Sequence, residues 1–152
     1  MDWQENLITD TERIRELIAS TRTIAVLGIK TEAQAGQPAF YVPRYLHFAG
    51  FEIIPVPVYY PGVITILGQK VYRTLADIPA EVDLVNVFRR PQDVPAHLDD
   101  MLVKKPKAVW MQSGISHDEV AETLARGGIK VVQDRCLMVD HRYLSGQKGK
   151  SS

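Results

Sequence analysis

A single cysteine, Cys136, stands in a chain of 152 residues, which excludes an internal disulfide and a cysteine-built zinc site. Neither sign of charge prevails, with 18 Lys plus Arg against 18 Asp plus Glu. The uniform positive field on which non-specific nucleic-acid binding relies is therefore missing. No apolar run approaches the roughly 18 to 20 residues that cross a bilayer, and the opening stretch MDWQENLITD lacks the basic and apolar regions of a secretion signal. His47, His97, His117 and His141 form no i, i+4 pair, which speaks against a metal site. No segment repeats at a fixed period. These absences predict a cytoplasmic protein of one domain, with no metal and no nucleic-acid or membrane partner.

What is present is an alternation of apolar runs and amphipathic segments. Residues 9–20 read as a lead-in helix with a capping box from Thr9 to Glu12 and an inward face of Ile14, Leu17 and Ile18. Strands are predicted at 23–27, 51–56, 82–88, 108–111 and 129–132, the first near-continuous in apolar character, as suits a strand covered on both faces, and the third interrupted only by Asp83 and Asn86. Pro43 suits the first turn of a helix facing inward through Val42, Tyr45, Leu46 and Ala49, and Gly50 ends it. The tract PVPVYYPGV leaves the sheet as a loop, residues 69–72 suit a short edge strand, and Thr74 caps a turn that Pro79 ends. Val94, Leu98, Met101 and Leu102 mark a further helix stopped by Pro106. Ser116 and Glu119 form the capping box of another, which presents Val120, Ala121 and Leu124 and stops at Gly127 and Gly128. Residues 134–145 read as a short closing segment, and GQKGKSS as a mobile polar tail.

Five strands alternating with helices predict a Rossmann-like three-layer α/β/α fold with a mostly parallel sheet. The expected division is a lead-in helix packed on the domain (1–22), the domain itself (23–145) and the tail (146–152). Ligands of such sheets sit beyond the C-terminal strand ends, where strand order reverses. That selects Gly28 and Ile29 through Tyr41, Pro57 through Tyr60, Arg89 through Pro91, and Gln112, Ser113 and Gly114. The strand–turn–helix around Gly28 suits a phosphate on a helix N-terminus, with Lys30, the amides of residues 39–41 and Arg44 to hold it. Arg89 and Arg90 supply a second cationic turn, unless one of them pairs with Asp93. The second glycine of a dinucleotide fingerprint and an acid at the end of the second strand are both missing, and so is a P-loop.

The runs TIAVLG, AFYVPRYLHFAGFEIIPV, VYRTLADIPAEVDLVNVFRRP, AVWMQSGI and VVQDRCLMVDHRYL resemble the bacterial stand-alone CoA-binding domain family, related to the N-terminal domain of the succinyl-CoA synthetase alpha subunit. The resemblance covers about residues 23–144. It implies a coenzyme A or acyl-CoA ligand, with Gly28, Lys30, Gln37 and Tyr41 on its phosphate side. Pro57 and Val58 would border the adenine, and Phe88, Arg89 and Arg90 would meet the middle of the ligand. The synthetase's catalytic phosphohistidine lies in a further domain that this chain lacks, so the resemblance implies a binding protein with a sensing, carrier or regulatory role.

Two other classes stay open. Cys136, beside Arg135 and five residues before His141, is a weak candidate for a thiol that acts in acyl transfer or redox chemistry. The same residue suits a small buried hydrophobe after the last strand. A redox sensor binding a nicotinamide dinucleotide is the third class. Tyr59 and Tyr60, between prolines, are candidates for stacking on a base or lining a dimer contact.

Overall fold

Apolar runs of four or five residues become strands only if both of their faces are covered, and the chain supplies a helix after nearly every one. The computed structural model describes residues 2–150, with side chains as far as residue 145. Its elements are α1 (Thr11–Ala19), β1 (Thr23–Leu27), α2 (Pro38–Phe48), β2 (Glu52–Val56), β3 (Thr65–Ile66), β4 (Gln69–Lys70), β5 (Leu84–Val87), α3 (Leu98–Lys104), β6 (Ala108–Met111), α4 (Asp118–Arg126), β7 (Lys130–Val132) and α5 (Leu137–Lys150). Short 3-10 turns occupy Trp3–Asn6, Glu32–Gln34 and Pro91–His97. The main sheet is wholly parallel in the order β2-β1-β5-β6-β7. Its side chains alternate between two cores. Ile24, Val26, Leu84, Trp110 and Val132 pack with α1, α2 and α5, while Ala25, Leu27, Val85, Val87, Val109 and Met111 pack with α3 and α4. This is the expected Rossmann-like α/β/α arrangement.

Both sheet edges are guarded. Beside β7, Leu7 bridges Val131 in parallel and the Ile8 amide donates to the Val131 carbonyl at 2.9 Å. The segment is held there by Trp3, whose ring lies 4.6 Å from the Arg126 guanidinium, and by Asn6, whose amide donates to the Ala125 carbonyl at 2.9 Å. At the other edge the Tyr72 amide donates to the Pro55 carbonyl at 3.0 Å. Because a strand residue presents its N–H and C=O to the same side, the N–H that Pro55 lacks would also have faced outward. A proline is tolerated there and would not be in a central strand. Among the described residues no helix is long and apolar enough to cross a membrane.

Several boundaries differ from the sequence expectation, each for a local reason. The first helix is capped by Asp10, whose carboxylate accepts the Arg13 amide at 3.0 Å, and not by Thr9. A carboxylate satisfies that amide and the helix dipole together. The second begins at Pro38, so that Pro43 lies inside it, and Ala49 is exposed. The fourth is capped by the ring of His117, whose Nδ1 accepts the Val120 amide at 3.2 Å, and not by Ser116. The His117 amide is itself held by Gln133 Oε1 at 2.7 Å, which fixes the helix entry one residue later. Residues 91–97 form a 3-10 turn before α3, with Pro95 inside it donating no amide to the preceding turn.

The predicted edge strand shrinks to Gln69–Lys70, paired with β3 across a two-residue turn at Leu67 (φ 53°) and Gly68 (φ 71°). The strand expected over 82–88 shortens to β5, since Asp83 turns away to accept the Arg22 and Thr23 amides at 2.9 and 3.1 Å. The short closing segment is instead the start of α5. The tail expected over 146–152 falls on residues whose side chains lie outside the described ones. At the end of α2 the Gly50 amide reaches the His47 carbonyl and the Phe51 amide the Leu46 carbonyl, with Gly50 at φ +105°. This is the Schellman closure expected of a glycine at that place.

Replacing Asp10 by Ala is expected to cost about 1 kcal/mol of stability, whereas Thr9→Ala stays within about 0.5 kcal/mol. Urea midpoints at unchanged slope distinguish the two caps.

Candidate functional site

Strand order reverses between β1 and β5, which places the crevice beyond Leu27 and Val87. Gly28 follows the first of these strands and Phe88 the second. The Gly28 amide donates to the Val56 carbonyl at 2.9 Å and the Phe88 amide to the Leu27 carbonyl at 2.8 Å, so three strand ends are knitted together. Gly28 adopts φ +87°, and a Cβ added to it would lie 2.2 Å from the Phe88 carbonyl oxygen and 3.2 Å from Arg89 Cδ. Only glycine fits this crossing.

The loop that follows is built inward before it is built outward. Ile29 is 1% exposed and anchors the loop in the core, so its side chain does not face the crevice. Lys30 is fixed from both ends. Its amide donates to the Ala39 carbonyl at 3.1 Å, which Pro43 has released by lacking the amide that would bond it within α2. Its ammonium donates to Gln37 Oε1. Thr31 and Gln34 close a capping box over the next 3-10 turn, and Glu32 accepts the Leu67 amide at 2.9 Å, tying the loop to the β3–β4 turn. Helix α2 starts with Gln37 as N-cap and Pro38 at the first helical position, and the Gln37 side chain makes no capping bond. The N-terminus of an eleven-residue helix thus opens beside Lys30 without a side-chain cap. Of the amides expected to hold a phosphate there, those of Phe40 and Tyr41 instead donate to the Gln37 carbonyl, each at 2.9 Å, and Pro38 has none to offer, so the cation of Lys30 is the main attraction for an anion at this place.

Across the crevice, Arg89 and Arg90 have different surroundings. Only 14% of the Arg89 side chain is exposed. Its Nε donates to His97 Nε2 at 3.1 Å and its Nη1 to the Tyr59 hydroxyl at 3.4 Å, with its guanidinium 5.6 Å from the Tyr59 ring and Asp93 3.8 Å away. Arg90 points out and pairs with Asp93 at 2.7 Å. That hydrogen bond and charge hold the Asp93 carboxyl below its ordinary range and raise the Arg90 guanidinium. After β2, Pro57 is buried while Val58 and Tyr59 are exposed. The loop they belong to is held by Arg73, whose guanidinium donates to the carbonyls of Tyr59, Tyr60 and Val63 at 3.1, 2.8 and 2.8 Å. Arg73 and His97 carry no local motif that would place them beside this crevice. The turns after β1, β2 and β5 therefore meet through Gly28, Arg89 and Tyr59.

The turn after β6 is divided. Gln112 is 4% exposed and faces inward, where its Oε1 accepts from Asn86 Nδ2 at 3.2 Å and from the Leu137 amide at 3.4 Å at the start of α5. Its oxygen serves the core. Ser113 and Gly114 remain exposed, with the Gly114 amide on Asp134 Oδ1 at 2.6 Å. Tyr41 and Arg44 line a different feature, a groove of about 920 Å3 between α2 and α5 that meets the glycine loop through Ala35 and Gly36. Cys136 packs against the core shared with α2 and α5. Its neighbours are engaged elsewhere: Arg135 holds Asp140 through two 2.8 Å hydrogen bonds, and His141 Nδ1 is 2.9 Å from the Tyr45 hydroxyl. Among the described residues no group of three or more His, Cys, Asp or Glu is placed to hold a metal.

A glycine at a strand crossing, a lysine beside a helix N-terminus and a largely enclosed arginine thus stand around one crevice. The family model of the CoA binding domain matches residues 22–142. The chain belongs to the CoA binding domain family. A Bacillus subtilis (strain 168) relative, the uncharacterized protein YneT, is 31% identical over 128 residues, 84% of this chain and 91% of its own. The solved structure of ID.343 from Thermus thermophilus is 39% identical and superposes with a TM-score of 0.83, covering 90% of this chain and 99% of that one. The fold recurs in the dinucleotide forming acetyl-coenzyme A synthetase 1 of Ca. Korarchaeum cryptofilum (apo form), at a TM-score of 0.62 and 20% identity, covering 80% of this chain and 27% of that one. That last likeness is one of fold.

Gly28→Ala is expected to destabilise the protein by about 2 to 4 kcal/mol, since both the left-handed backbone and the carbonyl contact oppose a methyl group. Chemical denaturation measures it. A second expectation concerns His97, which burial and then the Arg89 charge push below its ordinary 6.5. The folded state binds fewer protons at this group than the unfolded state. The stability it confers is complete above about pH 6.5 and is lost as pH falls from there toward the lowered value. Burial lowers His141 as well, and it acts in the same direction. Melting temperatures should decline between about pH 7 and 5, and His97→Gln, which keeps an acceptor for Arg89, should flatten part of that decline.

Proposed function

We propose that this chain is a cytoplasmic CoA or acyl-CoA binding protein that senses, carries or regulates without catalysing a reaction. Membership of the CoA binding domain family over residues 22–142 carries the reading, and the chemistry of the crevice supports it. In this reading the pyrophosphate lies beside the α2 N-terminus, with Gly28 giving backbone access and Lys30 and Gln37 on the phosphate side, while Tyr41, turned to the α2–α5 groove, stays out of it. The adenine is bordered by Pro57 and Val58, with the Tyr59 ring beside them as a stacking surface. Phe88, Arg89 and Arg90 flank the middle of the ligand, and Ser113 and Gly114 form the far rim. The Lys30 ammonium exchanges Gln37 for phosphate when the ligand arrives, at little cost because its amide is already fixed.

The test is a thermal-shift panel of CoA, acetyl-CoA, 3′-dephospho-CoA, ATP and NADH, since a ligand that binds only the folded chain raises its melting temperature by mass action. CoA species should stabilise and NADH should not. Lys30→Ala should weaken CoA binding roughly tenfold, about 1.4 kcal/mol, without lowering the melting temperature of the ligand-free protein. No shift with any CoA species at about millimolar concentration rejects the reading, and protection by NADH alone replaces it with a dinucleotide sensor.

A further inference from the structure

The groove between α2 and α5 takes no part in the crevice chemistry, and it has a composition of its own. Tyr41, Arg44, Tyr45 and Phe48 form one stripe along α2, and Met138 and Arg142 face them from α5. The groove is apolar and open, with Phe48 80% exposed. The two arginines lie against aromatic rings, Arg44 at 5.6 Å from Phe40 and Arg142 at 5.4 Å from Tyr45. They are thereby held flat on the surface, with less freedom to lose on pairing.

The charge around this floor is one-sided. Helix α2, PAFYVPRYLHF, contains no acid. Within the described side chains of α5 the acid is Asp140, and it turns inward to Arg135, with 14% of its side chain exposed. A second copy of the chain would bring Arg44 and Arg142 against a surface carrying the same two charges and no exposed carboxylate to meet them. A small ligand would find a shallow, open surface and little enclosure. An exposed trough between two helices, with aromatic and thioether anchors and paired guanidinium groups, is shaped for a third helix whose apolar side fills the floor and whose carboxylates reach the arginines.

We propose that the α2–α5 groove docks an acidic amphipathic helix of a partner protein, through Tyr41, Tyr45, Phe48 and Met138 on its apolar side and Arg44 and Arg142 on its acidic flanks. This does not depend on the nature of the ligand in the crevice.

The test uses the full chain and a fluorescent helical peptide of about five turns, with Leu on one face and Glu flanking it, alongside a matched peptide in which every Glu is Lys. Anisotropy titrations at physiological salt should show the Glu peptide binding and the Lys peptide failing. The double variant Arg44→Glu/Arg142→Glu should lose the Glu peptide by at least about tenfold and accept the Lys peptide instead, with circular dichroism and melting temperature unchanged. Phe48→Ser should weaken both pairings. The proposal is overturned if wild type binds neither peptide up to about 1 mM, binds both alike, or binds the Glu peptide with an affinity the double variant retains. It is equally overturned if sedimentation finds a dimer that Phe48→Ser dissociates. Arginine-dependent binding of duplex DNA or of phosphatidylserine-containing vesicles tighter than that of the Glu peptide would overturn it as well.

Discussion

The Phe88 carbonyl oxygen occupies the place where a side chain on Gly28 would begin. Because the two strand ends approach that closely, the turns after β1, β2 and β5 reach one another, and Arg89 can pass over the glycine to meet Tyr59 and His97. A bulkier residue at this crossing would separate the strands that define the crevice. The glycine therefore has a structural reason to be present even before any ligand is considered.

The sheet was plain in the sequence because each strand carries its own signal. Ala108 to Met111 is an uninterrupted apolar run, and β6 has those bounds. Gly50 behaved as a helix stop because the left-handed turn it permits is a local property. Caps were less legible. Thr9 and Asp10, or Ser116 and His117, are neighbouring residues that can each begin a helix, and the choice at His117 is made by a bond from Gln133 that no local pattern contains. The start of α2 is ambiguous in the sequence for a related reason. Pro38 and Pro43 both suit a first turn, and what makes Pro43 acceptable inside the helix is an amide thirteen residues earlier in the chain, that of Lys30.

Gln112 shows the same limit for the site. A polar residue in a strand-to-helix turn reads as a rim residue, yet this one closes a buried network. Asn86 donates to the Trp110 carbonyl at 3.3 Å and to Gln112. Trp110 Nε1 donates to the Arg135 carbonyl at 2.7 Å, and Gln112 accepts the first amide of α5. These polar groups gather where the chain leaves β7 and enters α5, and they fix the angle at which the last helix lies against α2. The groove between α2 and α5 inherits its shape from this hidden cluster.

The exchange between Pro43, Ala39 and Lys30 bears on motion. Residue 30 is bonded into α2 as though it belonged to the helix, and Gln37 is the helix cap itself. The two ends of the intervening loop thus move with one rigid body, and conformational freedom is confined to the few residues between them. Ordering so short a segment around an anion forfeits little entropy. The bond from the Leu67 amide to Glu32 ties the middle of that loop to the β3–β4 turn as well, so the loop is anchored at both ends by α2 and at its centre by a second, independent hairpin.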